Sequence, residues 1–222
     1  MGRSKLKRFA QNVERHNVLE DSKALYKELK GNWNVLYFSK DQPITVELAC
    51  GKAHYTTGLA AHFPNRNFVG VDVKGDRLWV GSTIAIEQNL NNTAFLRAQI
   101  EHLDQFFAPQ EVNELWITFP DPRPKKRDIK RRLTSPRFLE LYKLILHKNG
   151  LVNFKTDNTQ LFDYTVELLQ ERKDTEIVAQ THDLYSSPLL ADHYGIQTDF
   201  ERKFLEKGET IKFLKFRFKN EG

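Results

Sequence analysis

The 222-residue chain contains one cysteine, Cys50, and lacks the features typical of membrane or secreted proteins. A single cysteine excludes both an internal disulfide and a cysteine zinc site. No apolar stretch is long enough to cross a bilayer, and the basic, polar N-terminus has no apolar core of a secretory signal. We therefore expect a cytoplasmic protein without a membrane partner, in which Cys50 is a small buried hydrophobe.

Motifs for metals and dinucleotides are also missing. The seven histidines show no metal-binding spacing, so no metal is assigned, and His182 and His193 are expected at the surface. No G-x-G-x-x-G turn is present to bind a pyrophosphate. Without an internal repeat or a flexible linker, the sequence predicts one large domain over residues 31–222. A basic N-terminal arm or helical extension is expected over residues 1–30.

Positive charge is concentrated in two segments of an otherwise acidic chain. Between Pro120 and Arg137, eight Lys or Arg residues stand against only Asp121 and Asp128, and residues 1–8 contain four cations and no acid. The prolines hold the first segment rigid, which favours a polyanion such as nucleic acid as its partner. The alternative is a solvated surface, the usual role of a charge run.

Short apolar runs alternate with helix-like segments, which predicts βαβ crossovers and a parallel sheet. The predicted strands cover residues 44–48, 68–71, 94–98, 115–119 and 151–154, followed by 176–180 and 211–218. One predicted helix has its N-cap at Ser135, Pro136 in its first turn and its end at Asn149-Gly150. Residues 182–200 are irregular and are expected to form a long functional loop.

In a parallel sheet of this kind, ligands bind beyond the carboxyl ends of the strands. Four of the first five predicted strands offer a carboxylate near that end: Glu47, Asp72, Asp121 and Asp157. S-adenosylmethionine carries an ammonium and a sulfonium and no phosphate, so acids beside the turn at Gly51 suit it better than a dinucleotide. Asp72 is placed to accept hydrogen bonds from ribose hydroxyls. Glu47 lies inside an apolar strand, and this position costs several kcal/mol unless the carboxyl group is paired.

Four motifs together resemble those of a known family. Phe119-Pro120-Asp121-Pro122-Arg123-Pro124-Lys125-Lys126-Arg127, followed by Lys130-Arg131-Arg132-Leu133, resembles the F-P-D-P-W-P-K-K-R…K-R-R-L signature of bacterial tRNA (guanine-N7)-methyltransferases. Glu47-Leu48-Ala49-Cys50-Gly51 resembles the cofactor loop of that family, Lys155-Thr156-Asp157 its K-T-D, and Thr198-Asp199-Phe200-Glu201 its late T-x-[YF]-E. The resemblance covers residues 44–218.

This resemblance implies a class I, Rossmann-like α/β fold with a mostly parallel seven-stranded sheet and helices on both faces. It implies methyl transfer from S-adenosylmethionine to N7 of a guanine in the tRNA variable loop, by a monomer or a homodimer. The implied cofactor residues are Glu47, Gly51, Asp72, Gln99 and Asp121, and Asp121 is also the implied catalytic residue. The implied substrate residues are Lys125, Asp157, Thr198, Asp199, Phe200 and Glu201. The expected phosphate contacts are Arg123, Lys126, Arg127, Lys130, Arg131 and Arg132.

Three positions depart from the family pattern: Arg123 replaces a Trp, Ala53 a Gly, and Gln99 an Asn or Asp. None of these changes removes a carboxylate. The three departures support one alternative, a non-catalytic RNA-binding module on a methyltransferase scaffold. Adenine-N6 methylation is a second alternative. The sequence lacks the [N/D]-P-P-[Y/F] turn that adenine-N6 methyltransferases use. Cytosine-C5 chemistry requires a Cys nucleophile after a Pro, and Cys50 lies in the cofactor loop instead.

Guanine N7 carries a free lone pair, so the methylation needs no strong base, only positioning and a carboxylate near the purine. Two of the implied substrate residues also have a purely structural interpretation. Asp157, with Gln160 three residues later, and Thr198, with Glu201, both have the spacing of a helix capping box.

Overall fold

Alternating apolar runs and amphipathic segments give a three-layer α/β architecture in the computed structural model, which describes residues 3–219. The outer limits of the expected domains, residues 1–2 and 220–222, lie outside the described residues, as do the side chains of Arg3 and Ser4. The strands are β1 (Val18–Leu19), β2 (Ile44–Leu48), β3 (Asn67–Val71), β4 (Thr93–Leu96), β5 (Val112–Thr118), β6 (Leu146–Thr156), β7 (Thr175–Thr181) and β8 (Lys212–Phe218). The helices are α1 (Arg3–Glu14), α2 (His54–His62), α3 (Gly75–Glu87), α4 (Pro136–Ile145), α5 (Thr159–Glu171) and α6 (Asp199–Glu206).

The eight strands form one sheet in the order β1-β4-β3-β2-β5-β6-β8-β7. The strands from β1 to β6 are mutually parallel, and β8 runs antiparallel to both β6 and β7. The strand order reverses between β2 and β5, where Leu48 is paired with Ile117. The carboxyl ends of these two strands therefore lie side by side at the switch point, where ligands bind in such sheets.

Side-chain alternation along the strands builds a core on each face of the sheet. In β2, Ile44, Val46 and Leu48 pack on one face with residues of α4 and α5. In β5, Trp116 points to the other face and packs with residues of α2. Helices thus cover both faces, as predicted, and the two layers hold the ends of the central strands in fixed positions.

All seven predicted strands are present, and three details differ from the prediction. The two-residue strand β1 extends the sheet at its edge, next to β4. The helix that begins at Pro136 ends at Ile145, not at Asn149-Gly150, because β6 starts directly at Leu146. Pairing between β5 and β6 is irregular in this part, so the turn-like residues bulge from the strand and do not close the helix. Ser135 occupies the N-cap position, but its hydroxyl donates to the Lys130 carbonyl instead of capping α4.

The segment before β2 packs against the rest of the chain. Leu29 and Trp33 are fully buried in the core, and the Trp33 indole donates to the carbonyl of Phe106 at 2.8 Å. Helix α1 packs against α3, and the boundary at residue 30 stays a prediction. Within residues 3–219, no helix combines the length and the apolar character needed to cross a membrane.

Candidate active site

The loop after β2 contains three residues in the left-handed backbone region: Ala49 (φ 52°), Gly51 (φ 56°) and Ala53 (φ 59°). Ala53, which stands where a glycine is common in the family, is fully buried against α3. A Cβ atom added to Gly81 of α3 would lie only 2.7 Å from the Ala53 Cβ. We call residues 49–53 the cofactor loop. The shape of the cofactor loop is set by its close packing against α3.

Asp72, directly after β3, fastens this loop to the neighbouring strand. The Gly51 amide donates to its Oδ2 at 2.9 Å, and the Lys74 amide donates to its Oδ1 at 2.8 Å. Asp72 is buried, and each carboxylate oxygen retains a further lone pair for a ligand. The structure thus brings two predicted cofactor residues, Gly51 and Asp72, into direct contact.

Glu47 has the partners that an acid inside an apolar strand requires. Its Oε2 accepts hydrogen bonds from the Thr56 amide at 2.8 Å and the Thr56 hydroxyl at 2.6 Å, and its Oε1 accepts from the Thr118 hydroxyl at 3.3 Å. Burial raises the pKa of Glu47 to about 7, although these hydrogen bonds oppose the rise. Glu47 therefore joins β2, α2 and β5 behind the cofactor loop, and its contact with a cofactor stays a prediction.

The raised pKa of Glu47 predicts a specific pH dependence of stability. The folded protein holds a proton on Glu47 that the unfolded chain releases near its ordinary pKa of 4.5. Raising the pH from about 4.5 to about 7 therefore lowers the free energy of unfolding, by about 3 kcal/mol in total. Glu47→Gln should remove this loss. Urea denaturation of both proteins across that pH range would measure it, and parallel stability profiles would contradict it.

A cavity of about 580 Å³ opens at the ends of the central strands. We call it the strand-end cavity. Its lining includes Asp72 and Ala98, which follow β3 and β4, and also Arg123, Lys130 and Arg131 of the basic segment, residues 120–137. Gln99, the predicted contact for adenine, is exposed and lies outside this lining, at the N-cap of a short 3₁₀ helix. The predicted acid and the predicted cations therefore face one opening.

Asp121 stands just beyond β5, with 60% of its side chain exposed. Its Oδ1 accepts a hydrogen bond from the Arg123 amide, and its Oδ2 pairs with the Arg123 Nε, both at 3.2 Å. Phe119 and Arg123 have φ values of 50° and 46°, so the chain turns sharply on either side of the acid. Arg123, the residue that replaces a Trp, therefore acts as the ionic partner of the predicted catalytic carboxylate.

Beyond Arg123, the basic segment continues into a 3₁₀ helix, Lys126–Arg131. Five of the six cations between Lys125 and Arg132 have exposed side chains, as phosphate contacts require: Lys125, Lys126, Arg127, Lys130 and Arg131. Arg132 does not fit the expected phosphate contact, because only 7% of its surface is exposed. Its guanidinium donates to the carbonyls of Pro122 and Arg123 and lies 4.4 Å from the ring centre of Tyr164. Arg132 thus holds the basic segment in shape instead of presenting a charge to phosphate.

The late substrate motif forms the start of α6. Thr198 and Glu201 make a complete capping box, so the structural interpretation of this pair is confirmed. Both are buried, whereas Asp199 is partly exposed and Phe200 is half exposed. The Lys52 Nζ lies 2.6 Å from an Asp199 oxygen and lowers the pKa of that carboxyl group. The cofactor loop is therefore linked directly to α6.

Asp157 is half-buried at the end of β6, and burial raises its pKa. It does not cap α5, contrary to the structural alternative, because the neighbouring Asn158 accepts the hydrogen bond from the Leu161 amide. Asp157 instead lines a cavity of about 350 Å³ together with Phe204 and Lys207. The Phe204 ring is stacked between those of Phe119 and Phe200, with ring centres 6.0 and 6.5 Å apart.

A buried polar network lies beneath α6, and the sequence interpretation does not predict it. The Lys155 Nζ lies 2.6 Å from both the Tyr55 hydroxyl and the Glu201 Oε1. Tyr185 donates to the same Glu201 oxygen at 3.0 Å, and the His193 Nε2 lies 3.3 Å from it. His193 is only 5% exposed, so its predicted surface position is wrong, whereas His182 is 64% exposed. The sequence does contain a signal for this network: Lys155 is a charged residue inside an apolar strand and requires a partner there, as Glu47 does.

Other titratable groups suggest no additional chemistry. Cys50 is buried, as expected, and burial raises its pKa well above the ordinary value. Among residues 3–219, no three His, Cys, Asp or Glu side chains form a group that could hold a metal ion. The groups available at the strand ends are therefore carboxylates, aromatic rings and cations.

Comparison with known proteins gives one consistent family. A family model described as "Putative methyltransferase" matches residues 41–214. A tRNA (guanine-N(7)-)-methyltransferase of Cytophaga hutchinsonii is 50% identical over 220 residues, which cover 98% of this chain and 99% of the relative. A tRNA (guanine-N(7)-)-methyltransferase of Bacteroides fragilis is 41% identical over 226 residues, which cover 100% and 88% of the two chains.

Solved structures show the same fold at low sequence identity. The 16S rRNA methyltransferase KamB superposes with a TM-score of 0.62 at 13% identity, with 91% of this chain and 95% of KamB covered. An rRNA methylase from Streptococcus thermophilus gives a TM-score of 0.54 at 14% identity, covering 81% and 89%. The fold is thus the class I, Rossmann-like methyltransferase fold.

Proposed function

Because the chain belongs to the tRNA (guanine-N(7)-)-methyltransferase family, we propose that it methylates N7 of a guanine in the variable loop of tRNA. The enzyme class and the methyl donor, S-adenosylmethionine, follow from the family. We further propose that the enzyme works in the cytoplasm on tRNA. A monomer or a homodimer remains the expected assembly.

The composition of the strand-end cavity supports this proposal. Buried Asp72 in its lining suits the hydroxyl groups of an adenosine ribose. The cations Arg123, Lys130 and Arg131 in the same lining suit RNA phosphates. One opening therefore accommodates both the donor and a polyanionic acceptor.

We propose that the protein contributes positioning and charge stabilisation. When bound, S-adenosylmethionine supplies an electrophilic methyl group on a positively charged sulfur. The N7 lone pair needs no general base, so holding the guanine in line supplies much of the rate. Asp121, at the end of β5, is proposed to face the positive charge that grows on the purine. Its ion pair with Arg123, which lines the cavity, fixes the carboxylate in place before the guanine enters.

The remaining substrate residues divide into two groups. Lys125, Asp157, Asp199 and Phe200 retain exposed surface, and we propose that they contact the tRNA. Thr198 and Glu201 are enclosed by the capping box and by the network around Lys155. We propose that these two act indirectly, by fixing the start of α6.

Methylation of a tRNA transcript tests the proposed function. Radiolabelled S-adenosylmethionine should label an unmodified transcript, and cleavage of the RNA at 7-methylguanosine should map the label to the variable loop. A transcript with adenine in place of that guanine is the matched control and should stay unlabelled. No label under saturating conditions, or label on adenine N6, would reject the proposal. A rise in melting temperature with the donor alone would show separately that the donor site binds.

The exposed cations should set the salt dependence of tRNA binding. Lys126→Ala or Arg131→Ala should weaken binding and reduce the slope of log affinity against log salt by about one for each phosphate that the variant no longer neutralises. Lys148→Ala is the matched control, because Lys148 is an exposed lysine near the start of β6, away from the strand ends. Filter binding across a range of salt concentrations would measure the slopes. Equal slopes for all three variants would reject these phosphate interactions.

A further inference from the structure

Helix α1 has two faces with different partners. On one face, the Asn12 side chain donates to the Gly75 carbonyl at 2.7 Å, and the Arg8 guanidinium lies 4.7 Å from the ring centre of Trp79. The guanidinium of Arg15, directly after α1, lies 4.7 Å from the same ring. These interactions attach α1 to α3. Residues three and four apart share a helix face, so Leu6, Phe9, Ala10 and Val13 form a second, apolar face.

The apolar face of α1 lines a cavity of about 940 Å³, which we call the α1 cavity. Its sheet-side wall includes Val73, after β3, and Ala98 and Gln99, after β4. Leu6 is 56% exposed, and Val13 and Val73 are each 50% exposed. An apolar lining that remains this accessible suits a flat, largely apolar ligand group.

The α1 cavity is continuous with the proposed donor site. Val73 and Ala98 line both this cavity and the strand-end cavity that contains Asp72. Val73 is the residue that follows Asp72, so a ligand whose ribose is held by Asp72 has its base beside Val73. The α1 cavity offers the space for that base.

Phe9 is held firmly at this position. A Cβ atom on Gly75 would lie 2.7 Å from the Phe9 ring, so the ring reaches α3 only because Gly75 has no side chain. The Arg97 guanidinium lies 4.9 Å from the centre of the Phe9 ring and pairs with Glu20 at 3.1 Å. The Arg97 Nε also donates to the Val73 carbonyl at 3.4 Å. Arg97 therefore connects Phe9 to the strand end beside Asp72.

We propose that α1 forms the outer wall of the pocket for the adenine base of the methyl donor, with Phe9 as the aromatic residue that contacts the base. This inference rests on the proposed function, which identifies the donor as an adenosyl compound. The helix that carries basic residues of the N-terminal segment then also encloses the donor. Donor affinity then depends on α1 as well as on the strand ends.

Replacing Phe9 tests this role. Phe9→Ala should raise the Kd for S-adenosylmethionine and for S-adenosylhomocysteine about tenfold in the absence of tRNA, the factor expected when one base no longer stacks on an aromatic ring. The KM for the donor should rise in parallel, while the KM for tRNA stays nearly constant. Lys7→Ala, on an exposed part of α1, should do the reverse: weaker tRNA binding and an unchanged donor Kd.

Calorimetric titration gives the Kd values, and the melting temperature without ligand reports whether each variant folds. Leu6→Ser provides a second variant at a more exposed lining position, with an expected rise in donor Kd of about threefold, which is half the free-energy change of Phe9→Ala. Wild-type donor affinity in folded Phe9→Ala and Leu6→Ser would overturn the inference. A rise in the KM for tRNA alone would also overturn it and would assign the α1 cavity to an RNA base. These outcomes differ from failure of the proposed function, in which the wild-type protein itself would leave tRNA unmethylated.

Discussion

Replacing Asp121 with alanine should lower kcat by at least about 100-fold while leaving tRNA affinity nearly unchanged. The carboxylate lies just beyond the end of β5 and pairs with Arg123, a residue that lines the strand-end cavity. Removing it leaves the positive charge on the purine without its proposed counter-charge. It also leaves Arg123, the ionic partner of Asp121, unpaired at the same opening. Single-turnover methylation with saturating enzyme and donor would isolate the chemical step.

Asp128→Ala is the matched control for Asp121→Ala. It removes the same charge from the same basic segment, but Asp128 is paired with Arg131 within the 3₁₀ helix, beyond the strand end. We expect its single-turnover rate to stay within a few-fold of wild type. Equal losses in both variants would mean that the segment responds only to total charge. A normal rate for Asp121→Ala would reject the catalytic assignment.

Replacing Lys155 with methionine should lower the free energy of unfolding by about 3–5 kcal/mol, the typical loss when one partner of a buried ion pair is removed. Lys155 and Glu201 are both completely buried, with 2.6 Å between the Nζ and the Oε1. Burial lowers the pKa of Lys155 to about 8, against the opposing effect of Glu201. Methionine leaves Glu201 as a buried carboxylate with fewer partners.

A double-mutant cycle separates the ion pair from packing. Glu201→Gln keeps the capping box, because Gln serves at that position as well as Glu. The double variant should therefore be more stable than the two single losses together imply. Lys215→Met is the control, since Lys215 is partly exposed and pairs with partly exposed Asp192, for an expected loss below about 1 kcal/mol. Urea denaturation would measure all four variants, and an equal loss in Lys155→Met and Lys215→Met would contradict the prediction.

Periodicity and chain order are sufficient to predict the main strands, because each apolar run is long enough to show its pattern. A helix separates most of these runs from the next, and a short 3₁₀ helix, Ile100–Gln105, separates β4 from β5. The strand Val18–Leu19 is beyond that approach, since two residues show no period. The predicted end of α4 is wrong because Asn149-Gly150 has the composition of a helix end and occupies a bulge instead. Local composition does not distinguish the end of a helix from a bulge in a strand.

Within the site, the strand-end acids are predictable because their positions follow from the topology. The phosphate role predicted for Arg132 is wrong because nothing in the sequence distinguishes this residue from the neighbouring cations, and only the fold buries it against Tyr164. The partner of Lys155 is not predictable from local sequence, because Glu201 lies 46 residues away along the chain. Asp157 and Asn158 are adjacent and equally able to cap a helix, so the choice between them depends on where α5 begins.

Gly81 makes the donor site sensitive to changes made behind it. A single added methyl group at this position would meet Ala53 at 2.7 Å and the Lys52 carbonyl at 3.1 Å. The residues that receive the ligand would then be displaced by a substitution that never touches the ligand. Substitutions in α3 are therefore limited by donor binding as well as by folding. A substitution in α3, behind the cofactor loop, can weaken donor recognition.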